Sequence, residues 1–106
     1  MARQDRIGSH ATTVEKDGAW LRRVTYHATA VVTLDPYGTI TLDSGGWRTA
    51  TTKTRMNQTA RAFNLPFSVS QRAGEWYVHL IECGEELNFT DGMTISAAIY
   101  SDTRTG

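Results

Sequence analysis

The sequence predicts an α+β fold, an antiparallel β-meander sheet with one helix packed on one face, in the order β-β-β-α-β-β-β-β. Three observations carry this. Apolar and polar residues alternate from Val24 to Leu34 and again from Thr39 to Leu42, and a period of two marks a half-buried strand. Apolar spacing then changes to i, i+4 and i+7 at Met56, Ala60 and Phe63, which is the stripe of a helix. Turn residues separate the runs, at Lys16-Asp17-Gly18, Asp35-Pro36-Tyr37-Gly38 and Thr90-Asp91-Gly92. A chain of 106 residues, 40% hydrophobic and 21% charged, suits one small domain over 1–106, with flexible ends over 1–9 and 101–106.

Face matching sets the register of each hairpin. With Lys16-Asp17-Gly18 as a three-residue loop, Val14 faces Trp20. A two-residue Asp17-Gly18 loop would set Glu15 there instead. In the next strand Val24, Tyr26, Ala28, Ala30, Val32 and Leu34 share one face, and Thr25, His27, Thr29, Val31 and Thr33 the other. A three-residue Pro36-Tyr37-Gly38 loop pairs Leu34 with Ile40 and Val32 with Leu42. Proline presets a type I turn there, and glycine supplies the left-handed position of the bulge. The helix runs from Thr51 to Asn64, capped by Thr49 or Thr51 and ended by Leu65-Pro66, with Thr52 and Thr59 beside its apolar stripe. Phe67–Gln71 and Trp76–Ile81 pair across a four-residue loop, so that Val69 faces Val78 and Phe67 faces Leu80. A last hairpin through Thr90-Asp91-Gly92 pairs Phe89 with Met93 and Leu87 with Ile95. The expected core is Val14, Trp20, Val24, Tyr26, Ala28, Ala30, Val32, Leu34, Ile40, Leu42, Met56, Ala60, Phe63, Phe67, Val69, Trp76, Val78, Leu80 and Ile95.

Net charge is zero, but it is unevenly spread. Residues 44–74 carry Arg48, Lys53, Arg55, Arg61 and Arg72 and no acid, whereas residues 75–106 carry six acids against Arg104. Such asymmetry fits an anionic partner, or one part of the fold pairing with another. No apolar run nears the ~18 residues of a membrane span. Met1–His10 holds no apolar segment, so no secretory signal is expected. Cys83 is alone, which fits a reducing, cytoplasmic compartment.

Enzyme chemistry finds little footing. Gly45-Gly46 and the threonines after them precede a helix N-terminus, which favours anions. A phosphate loop, however, needs a glycine directly before its Lys-Ser/Thr pair, and "TATTKT" has none. His79-x3-Cys83, with His27 as a third ligand, lacks any Cys-x2-Cys or His-x3-His pair, so no metal is expected. Cys83 has only His79 as a base, and Glu85-Glu86 sit together in a loop, so no catalytic residues and no cofactor are expected.

Binding features are stronger. Lys53, Asn57 and Arg61 fall at i, i+4 and i+8 on one helix flank, with Arg55 on the other and Thr54 and Gln58 outward. Together with Trp47 and Arg48 they form the expected contact for a partner or a nucleic acid, arginine and lysine for phosphates and asparagine for base edges. Glu82, Glu85, Glu86 and Asp91 form an expected acidic patch that would dock on a basic partner or imitate a nucleic acid. A sheet face bearing Thr25, His27, Thr29, Thr33 and Thr41, if uncovered, leaves edge strands available for a homodimer.

The Tyr26-His27 strand, "GGW" at Gly45–Trp47, "TTK-x-RMNQ" at Thr51–Gln58 and the late Trp76 together resemble small proteins encoded by bacteriophages and prophages. The resemblance implies an accessory phage protein active in the host cytoplasm. Small phage proteins of this kind include inhibitors of host defence, such as anti-CRISPR proteins, and small DNA-associated proteins. The combined expectation is a small non-enzymatic binding protein acting through protein–protein contacts, with nucleic-acid binding by the basic helix flank as the alternative.

Overall fold

The computed structural model describes residues 7–8, 11–18 and 20–96. The expected flexible ends at 1–6, 9 and 101–106 lie outside the described residues. Ile7 packs against the core, and Gly8 N donates to Gln58 Oε1 at 3.0 Å.

Among the described residues, eight strands and one helix follow in the order β1 (Thr12–Asp17), β2 (Trp20–Tyr26), β3 (Thr29–Leu34), β4 (Thr39–Leu42), α1 (Ala50–Ala62), β5 (Phe67–Arg72), β6 (Glu75–Leu80), β7 (Glu85–Asn88) and β8 (Met93–Ser96). The α+β class stands as expected, with antiparallel strands on either side of one helix. The strands divide between a five-stranded sheet, β1-β2-β3-β4-β8, and a three-stranded sheet, β5-β6-β7. The long alternating run is two strands rather than one. It turns at His27-Ala28, so that Tyr26 pairs with Thr29, and His27 takes a left-handed φ of 56°.

Two hairpins have the expected pairs. Val32 faces Leu42 and Leu34 faces Ile40. Phe67 faces Leu80 and Val69 faces Val78, with the ladder extended by Arg72 opposite Glu75. Two others are corrected. Val14 faces Val24, and Asp17 faces Trp20. Glu15 pairs with Arg23 and Lys16 with Leu21, so Arg22 is the extra residue of a β-bulge. A bulge reverses the facing of everything beyond it. Leu21 is therefore buried, while Trp20 is 48% exposed. The last expected hairpin does not form. Leu87 pairs with Val78 and Ile95 with Ile40, because the chain changes sheets between β7 and β8. Phe89 N still bonds Trp76 O at 3.0 Å, and by Gly92 the backbone N–H reaches Leu42 O at 2.8 Å.

The core lies between the inner faces of the sheets and under α1. It joins Leu21, Val24, Val31, Val32, Leu34, Ile40 and Leu42 to Met56, Ala60, Phe67, Val69, Trp76, Val78, Phe89 and Ile95. Trp76 and Phe89 meet edge to face at 5.3 Å between ring centroids, a favoured aromatic geometry. Leu21, Val31 and Phe89 were not expected here. Val31 is inward because β3 carries a second irregularity, where Val24 pairs with Val32 but Thr25 pairs with Ala30. Of the expected core, Val14, Trp20 and Ala28 are exposed, and Tyr26, Ala30, Phe63 and Leu80 are half-buried. Ala28 fails because it occupies the turn, and Val14 lies on the edge strand β1.

Helix α1 begins at Thr49, whose Oγ1 accepts from Thr52 N at 3.2 Å, a side-chain N-cap. It ends with Asn64 at φ 58° and Leu65 N bonded to Ala60 O at 2.8 Å. That is the six-to-one bond of a Schellman close, and Pro66 prevents continuation.

Candidate functional site

The helix flank singled out by its basic and amide residues has a structural task. Strand β5 is an edge of the small sheet, so one side of it has no strand neighbour. Asn57 fills that side at Val69. Its Nδ2 donates to Val69 O at 2.9 Å, and its Oδ1 accepts from Val69 N at 2.8 Å. The amide thus imitates a strand backbone and satisfies both groups of one edge residue. Lys53 Nζ, one turn earlier, donates to Gln71 Oε1 at 3.2 Å. Arg61 stays exposed at the rim of a shallow hollow it shares with Asn57, Phe67 and Ser68.

Arg55 faces inward and is only 8% exposed. Its Nε donates to Thr12 Oγ1 at 2.9 Å, and its guanidinium lies over the Tyr26 ring at 5.5 Å. Arg48 lies over Phe89 at 5.0 Å. Among the six residues expected to form one contact surface, Arg55 and Asn57 therefore hold α1 against the two sheets, and Trp47 stands apart at 73% exposed.

Trp47 is placed by a tight turn. Its N–H donates to Ser44 O at 3.0 Å. Gly45 and Gly46, at the centre of the turn, have φ of 65° and 84°, a region that only glycine enters freely. A Cβ on Gly45 would run into Thr29 Oγ1, so this glycine also permits close approach of two loops. Asp91 secures the turn from the other sheet connection. Its Oδ1 accepts from Ser44 N at 2.8 Å and from Ser44 Oγ at 2.7 Å. Burial pushes the Asp91 carboxyl up, but the bonds from Ser44, with Arg48 nearby, outweigh it and hold it below the usual carboxylate range.

The turn closes one side of a cavity of about 370 Å³. Val31 lies in its wall, Thr49 and Thr52 of the helix entry line it, and the rings of Tyr26, His27 and Trp47 surround it. The Tyr26 and His27 rings are 4.4 Å apart and tilted by 58°. Among the described residues, no Lys, Arg, Asp or Glu lines it. A half-open aromatic and hydroxyl-lined hollow of this kind suits a neutral group, since an ion would be desolvated there without a counter-charge. Sequence reading found Trp47 but not its wall. Alternation alone places Tyr26 in the core and His27 on a sheet face, and only the turn at His27-Ala28 brings them beside the glycine pair.

Two residues of the expected acidic patch have partners within the fold. Asp91 serves Ser44, while Glu86 stands on the outer face of the small sheet. Its Oε2 is 2.6 Å from Arg72 Nη2, and the hydrogen bond from Arg72 holds its carboxyl below the usual range. Glu82 and Glu85 are exposed around the β6–β7 turn. Sequence reading missed a constellation on that face. Ser70 Oγ and His79 Nε2 are 2.7 Å apart, and His79 Nδ1 lies 3.5 Å from Glu86 Oε1. The rows Ser68–His79–Glu86 and Ser70–Tyr77–Asn88 across three strands create it. Arg72, which also lies over Tyr77 at 4.1 Å, bonds both Glu86 oxygens. The group therefore acts as a polar clasp across the sheet.

Among the described residues, no group of three or more His, Cys, Asp or Glu is placed to hold a metal. No described helix is long and apolar enough to cross a membrane. The Thr33–Thr41–Thr94 row lies on the side of the five-stranded sheet opposite the core and, with Arg23 and Glu15 continuing it, forms a polar face.

No curated protein and no solved structure matches the chain. Residues 1–96 match the family model of the Kyanoviridae Gp96 protein, in keeping with the phage resemblance of its sequence, and the chain belongs to that family of phage proteins.

Proposed function

We propose that the protein works by binding another protein, with the hollow beside Trp47 as its contact site. The observation that supports this most is the pairing of a large exposed aromatic with an aromatic-walled cavity that, among the described residues, no Lys, Arg, Asp or Glu lines. Buried aromatic anchors in such hollows dominate the energy of protein contacts. Occupying a surface of a host machine, CRISPR defence among them, is the form of action that a small phage accessory protein of this build would take in the host cytoplasm. No cofactor and no catalysis enter this reading.

Nucleic-acid binding ranks second. The basic middle segment would supply it, but Arg55 is turned inward and Asn57 is engaged by β5. Arg48 and Arg61 remain as exposed bases from that set.

The test is capture from host lysate by immobilised protein, wild type against Trp47→Ala. A specifically retained protein should fall at least about tenfold with the variant, the loss of one anchor of about 1.4 kcal/mol or more. Equal retention would refute the site. A polarisation titration with duplex and single-stranded oligonucleotides at two salt concentrations separates the readings. Steeply salt-dependent binding, lost when Arg48 and Arg61 are replaced, would restore the basic residues to first place.

A further inference from the structure

We infer that an occupant of the Trp47 hollow is Tyr37 of a second copy of this chain, so that copies associate head to tail. The inference rests on the reading of that hollow as a protein-contact site and names its partner.

Tyr37 is the most exposed large apolar residue among the described residues, at 85%. It is presented rigidly. Asp35 Oδ1 accepts from Tyr37 N and from Thr39 N, each at 2.9 Å, and Gly38 N bonds Asp35 O at 3.1 Å. Pro36 fixes one further backbone angle of the tip. A backbone held this way loses little conformational freedom on docking.

Knob and hollow are at opposite ends of the same hairpin. Tyr37 caps the β3–β4 turn after Leu34, whereas Thr29 and Ser44, at the far ends of β3 and β4, line the hollow. Six residues of β3 at about 3.3 Å each set the two ends roughly 20 Å apart. A side chain at one end therefore serves the hollow of a neighbouring copy placed along the strand direction.

The chemistry matches. A phenol is neutral, which suits walls where no described Lys, Arg, Asp or Glu offers a counter-charge, and its hydroxyl is met by the hydroxyls of Thr29 and Thr49. The knob does not stand alone. Trp20, 48% exposed, shares a second hollow with Pro36 at the same end, and Asp17, Arg22, Arg23 and Asp35 give that hollow a charged rim. Such a contact is heterologous, the same two patches joined in every pair, so it closes into a ring or continues as a filament.

Light scattering after size exclusion, over a series of loading concentrations, tests this. The wild type should rise from 11.8 kDa to at least twofold that mass. Tyr37→Ala, which keeps the hollow, and Trp47→Ala, which keeps the knob, should each remain monomeric. Their equimolar mixture should recover a species of twofold mass and no larger, because only one productive knob and one productive hollow remain. A wild type that stays monomeric throughout, or a Tyr37→Ala variant that assembles like wild type, overturns the inference. Monomeric wild type together with Trp47-dependent capture of a host protein overturns the inference alone and leaves the contact site standing. Monomeric wild type with Trp47-independent capture overturns both.

Discussion

The helix α1 and the turn that precedes it come from one basic, threonine-rich stretch, yet they use their polar residues in opposite ways. In the helix, Asn57 and Arg55 turn toward the sheets and bond β5 and Thr12. In the turn, Ser44 is buried and bonded while Trp47 is left outside. The residues that resemble a ligand grip hold the fold, and the residue that resembles core lies at the surface. Residue type gives chemistry, but position relative to a strand edge or a glycine turn decides whether that chemistry faces in or out.

The comparison breaks most sharply at Asn57. Asn57→Ala removes both partners of Val69 on the open side of β5, and each lost bond to a shielded backbone group costs about 1–1.5 kcal/mol. Chemical denaturation should show a loss of about 2–3 kcal/mol. Asn57→Asp keeps an acceptor for Val69 N but no donor for Val69 O, so it should fall between the two. A loss below about 0.5 kcal/mol for Asn57→Ala would mean that the flank is solvated surface, as its composition alone suggests.

Arg55→Ala comes next. It removes the bond to Thr12 and the ring contact with Tyr26, and it leaves a gap where an aliphatic stem had packed. A loss of about 1–2 kcal/mol is expected, read as a fall in the denaturation midpoint at unchanged m-value. Arg55→Lys should recover little of it, since an ammonium reproduces neither the Nε bond to Thr12 nor the planar contact with the ring.

These contrasts also show where the sequence was legible. The Pro36-Tyr37-Gly38 hairpin and the Phe67/Leu80 and Val69/Val78 pairs followed from alternation, because no bulge interrupts them. The β1–β2 register did not, because Arg22 adds one residue and reverses Trp20 and Leu21. Such a bulge leaves no mark in a pattern of apolar and polar residues when Trp and Leu are both apolar. The expected hairpin through Asp91 failed for a different reason. Its two strands alternate correctly but pair with β6 and β4 in separate sheets, and local spacing does not encode a sheet change. Of the candidate site, Trp47 was legible as unexplained by the core. Its wall was not, since His27 reaches it only through a left-handed turn inside an alternation that reads as continuous strand.

Asp91 tests the anchor of the turn. Its folded-state pKa lies below the ordinary carboxylate value, as does that of Glu86. A depressed carboxylate contributes stability that is present above its unfolded pKa, about 4, and is lost as pH falls through the folded value. The wild type should therefore lose stability on acidification below about pH 4. Asp91→Asn should flatten part of that dependence, with a loss of about 1 kcal/mol at neutral pH from weakened bonds to Ser44. An unchanged acid limb in the variant would show that Asp91 does not titrate in the fold.

The smallest effect on stability is expected at Trp47, where it sharpens the comparison most. The indole is 73% exposed, and truncating an exposed side chain usually changes stability by less than about 0.5 kcal/mol. Trp47→Ala should therefore match the wild type in thermal and chemical unfolding while losing whatever contact the hollow makes. Fluorescence supplies an independent check, because Trp76 is buried and Trp20 stands at the other end of the sheet. An acrylamide quenching series should lose its most accessible component in the variant, and in the wild type that component should become protected when the hollow is filled. If Trp47→Ala instead destabilised the protein as much as Asn57→Ala, the indole would be part of the packing and the hollow a gap in it. The distinction between a helix that holds the fold and a turn that presents a ring would then fail.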